Sequence, residues 1–237
     1  MSVCKEAIVR LNKYLADSGY CSRREADRLI EAGRVRLDGR VGRLGDKVAP
    51  GMRVEVDGRL LTGETEKVYI ALNKPVGVVC TADPREPLNV IDYIGHDKRI
   101  FPIGRLDMDS SGLLLLTNDG EIVNRVLRAA GGHEKEYEVC VDKPITGEFL
   151  RRMAAGVPIL DTVTLPCKIQ RTGERCFRLI LVQGLNRQIR RMCEALGYRV
   201  KTLKRVRIMN IRLDGLESGH WRDLTREELD GLCALLK

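Results

Sequence analysis

Aromatic residues are scarce: three Phe, six Tyr and one Trp make up 4% of the 237 residues. This is too few for binding that rests chiefly on stacking successive bases of a single strand. Histidine is scarcer, and His96, His133 and His220 are not spaced to complete a ligand set with the thiols. A structural zinc site is therefore not expected, nor any other metal. The eight cysteines (Cys4, Cys21, Cys80, Cys140, Cys167, Cys176, Cys193 and Cys233) include no C-x-x-C pair and lie among apolar neighbours. They are read as reduced thiols acting as small hydrophobes. No apolar run approaches the roughly 20 residues of a membrane helix. Residues 1–6 carry an acid and no apolar segment of the kind a secretory signal needs. These absences predict a soluble cytoplasmic protein with no membrane association. G-x-G-x-x-G and phosphate-loop motifs are also missing, so no nucleotide cofactor is expected.

Hydrophobic residues at 43% and charged residues at 31% are enough for a folded chain, and 237 residues allow one large domain or a small one joined to a mid-sized one. Lysine and arginine number 41 against 33 acids, giving a net charge of +8 and a pI near 9.2. That balance points to a polyanionic partner. Its distribution is sharper than its sum. Between Leu181 and Arg212 there are nine bases against one acid, Glu194, an excess equal to that of the whole chain.

The first sixty residues carry clear punctuation. Leu11, Tyr14 and Leu15 follow helical spacing and Gly19 stands where such a helix would stop. Ser22-Arg23-Arg24-Glu25 matches a capping box, followed by Ala26, Leu29 and Ile30 as a buried stripe. Asp38-Gly39 signals a hairpin, and the alternation from Arg53 to Asp57 signals a strand. Two helices followed by small strands, with Arg23, Arg24 and Arg28 off the apolar stripe and Arg34 just beyond, resemble the S4 RNA-binding domain over residues 10–57. Arginines on a capped helix suit phosphates and exposed bases. The polar segment from Gly58 to Glu66 places the domain boundary, giving residues 1–62 and 63–237.

Beyond the boundary, Tyr69 to Leu72, Val78 to Cys80, Leu113 to Leu116, Glu136 to Val141 and Phe177 to Val182 read as strands. Gln188 to Leu196 has helical spacing with Gly197 as its stop, and Thr225-Arg226-Glu227-Glu228 is a second capping box. Strands and helices interleave without a βαβ rhythm, so the fold class is α+β.

Gly104-Arg105-Leu106-Asp107-Met108-Asp109-Ser110-Ser111-Gly112 packs two acids, an arginine and glycines between two apolar strands. Asp107, Asp109, Ser111 and Gly112 match positions one, three, five and six of a calcium loop, but position twelve is Asn118 and an apolar strand intervenes, so calcium is rejected. A turn whose aspartates only accept backbone hydrogen bonds would be the default for this string alone. Taken with His133-Glu134-Lys135-Glu136-Tyr137 and Gly184-Leu185-Asn186-Arg187-Gln188-Ile189-Arg190-Arg191-Met192, however, it resembles the RsuA-type pseudouridine synthase family over essentially the whole chain.

The resemblance implies a small S4-like domain ahead of a catalytic domain built on a mixed, largely antiparallel sheet. The implied reaction is isomerisation of uridine to pseudouridine in 23S ribosomal RNA, with a tRNA anticodon-loop uridine as a candidate second substrate. It needs no cofactor and implies a monomer. Asp107 stands at the family's catalytic position, as nucleophile or as base at the sugar. Tyr137 matches the active-site tyrosine. Arg190 is the first choice for the cation paired with Asp107, with Arg187 as its rival because Leu185 stands where relatives often have arginine. Ile189 packs either beside the base or in the helix core. RNA contacts are expected from Arg10, Lys13, Arg23, Arg24, Arg28 and Arg34 in the first domain. In the second they are expected from Arg105, Arg187, Arg191, Lys204 and Arg205, with the other bases up to Arg207 also read as phosphate contacts. The alternative from another class is a non-catalytic RNA-binding ribosome-assembly factor, against which Asp107 with Tyr137 argues.

Overall fold

The computed structural model describes residues 8–61, 65–128 and 131–236; Cys4, residues 1–6 and the expected boundary at 62/63 lie outside them. The chain divides into one unit of residues 1–67 with 97–99 and a second of residues 68–96 with 100–237.

In the first unit, β1 (Val9–Arg10) leads into α1 (Leu11–Asp17), whose Leu11 and Leu15 are buried, and then α2 (Arg23–Glu31). Ser22 caps α2 by accepting from the Glu25 amide at 3.1 Å, while the Glu25 carboxylate turns to Arg28 at 3.0 Å. Ala26, Leu29 and Ile30 form the buried face, as their spacing dictates. The strands β2 (Val35–Leu37), β3 (Arg40–Val41), β4 (Lys47–Val48), β5 (Val54–Val56) and β6 (Arg59–Leu60) follow. A four-stranded sheet runs in the order β3-β2-β5-β6, and β1 pairs with β4. Its two hairpins turn at Asp38-Gly39 and Asp57-Gly58, all four residues at positive φ, which is the geometry aspartate-glycine pairs tolerate best.

The second unit is organised by one nine-stranded sheet. Its elements are β7 (Tyr69–Lys74), α3 (Val90–Ile94), β8 (Phe101–Ile103), β9 (Ser111–Thr117), α4 (Gly120–Leu127), β10 (Lys135–Val141) and α5 (Gly147–Ala155). There follow β11 (Pro158–Ile159), β12 (Thr162–Val163), β13 (Lys168–Arg171), β14 (Cys176–Leu181), α6 (Gln188–Ala195), β15 (Val200–Ile208), β16 (Ile211–Arg212), β17 (Trp221–Asp223) and α7 (Arg226–Leu235). The order is β13-β14-β10-β15-β9-β7-β17, with β16 on β15 and β8 on β9, while β11 and β12 pair apart. Every neighbouring pair in the large sheet is antiparallel except β15 with β9. The sheet is therefore mixed and largely antiparallel, and the fold is α+β.

Strand β9 explains why Leu113 to Leu116 is an unbroken apolar run. Leu113 and Leu115 enter a core with Ile122 and Val126 of α4 and Leu232 of α7, while Leu114 and Leu116 enter another with Ile70, Leu72 and Val90. A strand covered on both faces has no reason to alternate. At the other end of the sheet, Val139 and Val141 of β10 and Phe177 and Leu179 of β14 pack against Phe149 and Met153 of α5 and Met192 of α6. The capping box at Thr225 forms with both of its hydrogen bonds. No helix among the described residues is long and apolar enough to cross a membrane.

Two expectations are corrected. Val78 to Cys80 is not a strand: it makes a single bridge from Val79 to Asn89, and the Val78 carbonyl accepts at 2.7 Å from the buried ammonium of Lys74. The cysteines are not all reduced: Cys140 and Cys176 are disulfide-bonded. They stand directly opposite each other in the β10–β14 register, 36 residues apart in sequence, a pairing that no local spacing reveals. Cys21, Cys80, Cys167, Cys193 and Cys233 are free.

The parallel pairing depends on Gly112, at φ +102°, where an added Cβ would lie 2.2 Å from the Arg205 carbonyl oxygen and 2.7 Å from its nitrogen. Gly112→Ala should therefore lower stability by about 2 kcal/mol or more, as a clash with backbone on a strained φ does. Urea unfolding checks this; an unchanged midpoint would show that the two strands separate without cost.

Candidate active site

The turn between β8 and β9 is fixed at successive residues by hydrogen bonds from distant parts of the chain. Arg205 donates to the Arg105 carbonyl at 3.4 Å and to the Leu113 carbonyl at 2.7 Å. The Leu106 amide donates to Cys80 Sγ, and the Gly77 amide to the Met108 carbonyl. Arg190 Nη2 donates to the Asp109 carbonyl at 2.8 Å and to Ser110 Oγ at 3.2 Å. Asp107 sits inside this braced turn, its own carbonyl accepting from the Ser110 amide. Its side chain is 37% exposed.

Beside it opens a cavity of about 710 Å³. Asp107, Tyr137, Arg190, Arg105, Arg187 and Arg205, separated by up to about a hundred residues in sequence, all line it. Tyr137 is buried, and with Leu181, Ile189 and Leu203 it supplies apolar wall. Ile189 both lines the cavity and belongs to the core. Among the described residues lining the cavity Asp107 is the only acid, against Arg105, Arg128, Lys135, Arg187, Arg190 and Arg205. Lys135, two residues before Tyr137 on the same strand, is a lining residue to which the motif containing it gives no role; the period-two alternation of β10 is the signal that places it on the same face. Burial, with the nearby charge of Arg205, pushes its ammonium below the ordinary lysine range.

The pairing of the arginines differs from the expected one. Arg190 reaches Asp109, at 3.2 Å from Oδ1, and not Asp107. The cation within 4 Å of the Asp107 carboxylate is Arg187, with Nη1 3.6 Å from Oδ2, and the buried Lys74 ammonium also feels the charge of Asp107. Local backbone explains the exchange. Arg187 is the residue before α6 and adopts φ 47°, which turns it out of the helix, whereas Arg190 lies on the buried face of α6 and is only 8% exposed. Left-handed conformations at non-glycine residues concentrate at functional sites.

Residues 68–195 match the RNA pseudouridylate synthase family, and residues 9–54 match the S4 domain. The chain belongs to the pseudouridine synthase family. It is 57% identical over 234 residues to the dual-specificity RNA pseudouridine synthase RluF of Escherichia coli (strain K12), a match covering 98% of this chain and 81% of that protein. It is 39% identical over 235 residues to ribosomal large subunit pseudouridine synthase B of Bacillus subtilis (strain 168), covering 95% and 96% of the two chains. A crystal structure of a pseudouridylate synthase superposes with a TM-score of 0.69 at 31% identity, over 94% of this chain and 99% of that one. The synthase is thus an isomerase acting on RNA, and the non-catalytic assembly factor is set aside.

The remaining basic residues of the synthase divide by their surroundings. In the S4 unit Arg10, Arg23, Arg24 and Arg28 are exposed, Lys13 is paired with Asp17 at 2.6 Å, and Arg34 is held by Asp57 through two hydrogen bonds. In the catalytic unit Lys204 is exposed and Arg191 is folded back on Asn186. Arg205 is 3% exposed, so it is corrected from a surface phosphate contact to a buried brace of the turn. Arg207 is likewise internal, bound to Glu136 at 2.7 Å and Glu134 at 3.0 Å.

These positions predict different costs for the two arginines. Arg190→Ala leaves the Ser110 hydroxyl and the Asp109 carbonyl short of a buried partner and should destabilise the fold by about 1–3 kcal/mol. Arg187→Ala removes a half-exposed cation and should change stability by less than about 1 kcal/mol. Paired urea melts check this, and equal losses would contradict the assignment of Arg190 to the scaffold.

Proposed function

We propose that the synthase isomerises a uridine of 23S ribosomal RNA, with a tRNA anticodon-loop uridine as second substrate. On this reading residues 1–62 capture the RNA, residues 63–237 perform the chemistry, and the enzyme acts as a cytoplasmic monomer. The name of the Escherichia coli relative declares dual specificity, and that of the Bacillus relative declares the large ribosomal subunit. Both support this choice of substrates.

One observation carries the chemical assignment: among the described residues, Asp107 is the single acid lining a cavity whose other walls are cationic, apolar or neutral. Uridine and pseudouridine are isomers, so the reaction needs neither oxidant nor group donor. The N1 to C1′ bond breaks, the uracil turns within the site, and C5 joins C1′. The proton on C5 is then lost, and N1 carries one in the product. Asp107 opens the sequence either by attacking C1′ or by removing a sugar proton, and each role requires a carboxylate with a free oxygen. Arg187 at 3.6 Å places a cation beside it without closing a tight two-point ion pair. Tyr137 offers a flat face for the flipped base, with its hydroxyl assigned to the proton leaving C5. Arg190 serves by holding the turn that presents Asp107.

Asp107→Asn should lower turnover by at least about 1000-fold, as removal of a reacting group does. RNA affinity should be unchanged or improved, since one negative charge leaves a basic cleft. The measurement is tritium release from C5-labelled 23S fragments and tRNA; full-rate release by the variant would overturn the assignment, and release from neither wild-type mixture would overturn the substrate choice.

The S4 unit yields a separate prediction. Arg23, Arg24 and Arg28 lie on the exposed side of α2, so their joint replacement by alanine should weaken RNA capture while leaving the single-turnover rate at saturating RNA intact. Every arginine of the three that neutralises a phosphate should, on removal, flatten the log-log salt dependence of binding by about 0.7 to 0.9. A variant with wild-type affinity and slope would remove this face from RNA recognition.

A further inference from the structure

Asp109 does not line the cavity, yet it gathers two of the arginines that do. Arg187 Nη2 donates to Asp109 Oδ2 at 3.0 Å and Nη1 donates to Oδ1 at 3.3 Å, a two-point fork of the kind that fixes a guanidinium in orientation as well as place. Arg190 Nη2 lies 3.2 Å from Asp109 Oδ1 while it donates to the Asp109 carbonyl. Asp109 is itself held on both sides, since the preceding carbonyl of Met108 accepts from Gly77 and the following Ser110 hydroxyl accepts from Arg190. Burial disfavours the charge on Asp109, but the hydrogen bond from Arg187 and the charges of Arg190 and Arg187 together outweigh it and leave this carboxyl below its ordinary range.

Asp107 is affected through Arg187. That arginine is 40% exposed and precedes α6 with no side chain capping the helix, so little besides Asp109 fixes where its guanidinium lies. Released, it would either close onto Asp107 and occupy the oxygens the reaction needs, or swing to an RNA phosphate and leave Asp107 without the cation that now stands 3.6 Å from it. Held by Asp109, it stands 3.6 Å away, within the range of electrostatic support and beyond a tight hydrogen bond.

We propose that Asp109 is the positioning residue of this site, holding Arg187 beside but off Asp107 through the fork and bracing that arrangement on Arg190. The proposal rests on the reading of Asp107 as the reacting carboxylate. The test compares Asp109→Asn, Asp109→Glu, Arg187→Gln and the Asp109→Asn/Arg187→Gln double variant by single-turnover tritium release at saturating RNA, together with RNA binding for each. Asp109→Asn should slow the step by roughly 10- to 100-fold, the scale of a reacting group displaced by about an ångström. Its RNA affinity should be equal or tighter, because a negative charge is removed and an arginine freed. Asp109→Glu should recover part of the rate. The double variant should be no slower than the slower single one, since both changes break the same fork. A wild-type rate for Asp109→Asn, multiplicative losses in the double variant, or weaker RNA binding alongside the slowed step would each overturn it. Asp107→Asn measured in parallel separates the two readings. If that variant still isomerises, the assignment of Asp107 fails; if it is inert while Asp109→Asn runs at full rate, only the present inference fails.

Discussion

The catalytic unit depends on one junction, the parallel pairing of β9 with β15 at Gly112 and Arg205. Five other strands fall into line on either side of it through antiparallel neighbours, β7 and β17 beyond β9, and β10, β14 and β13 beyond β15. Without this junction the sheet would be two sheets, each with an exposed edge. With it, the turn that carries Asp107 lies beside Tyr137 and the start of α6, and Arg205 can tie the carbonyls of Arg105 and Leu113 from the adjoining strand. The approach is so close that a methyl group at position 112 would overlap the Arg205 backbone. The glycine therefore serves the geometry of the site as much as that of the sheet.

Charge follows from this geometry. A cavity with six basic residues and one acid has its second aspartate just outside it, where Arg187 and Arg190 can meet Asp109. The arrangement separates two demands that conflict at a single residue. Arginines in an RNA cleft need an anion to hold them in place before substrate arrives, while the reacting carboxylate needs a cation nearby yet must not be bound up. On the proposed reading, two aspartates separated by one residue meet these demands separately, Asp109 holding both arginines and Asp107 standing 3.6 Å from one of them.

The elements legible in the sequence are those whose cause is local. Ser22 and Thr225 each cap the helix that follows, and Asp38-Gly39 makes its hairpin, because the hydrogen bonds and φ values involved span only a few residues. Four residues lining the candidate cavity, Asp107, Tyr137, Arg187 and Arg190, are legible as well, since they sit in recognisable strings. What is not legible depends on register between distant segments. The disulfide from Cys140 to Cys176 exists because β10 and β14 align those two positions, and the partner of Arg190 depends on which side of α6 faces the β8–β9 turn. Val78 to Cys80 has the composition of a strand, but the one pairing it finds is the single bridge from Val79 to the distant Asn89.

The basic stretch from Leu181 to Arg212 shows how far a charge count can mislead. Along β15 the strand period separates Lys204, which is exposed, from Arg205, which is buried against carbonyls, and two positions further Arg207 is satisfied by Glu134 and Glu136. Bases that look continuous in sequence are thus divided between solvent and scaffold, and only part of the excess is available to phosphate. The cavity itself, at about 710 Å³, falls within the range of roughly 300–1000 Å³ typical of sites for single small ligands. On the proposed reading it encloses one flipped nucleotide, and the nucleotides around that one are contacted outside it. On that reading the choice among RNAs falls to exposed groups outside the cavity, and Arg23, Arg24 and Arg28 of the S4 unit and Lys204 of the catalytic unit are exposed.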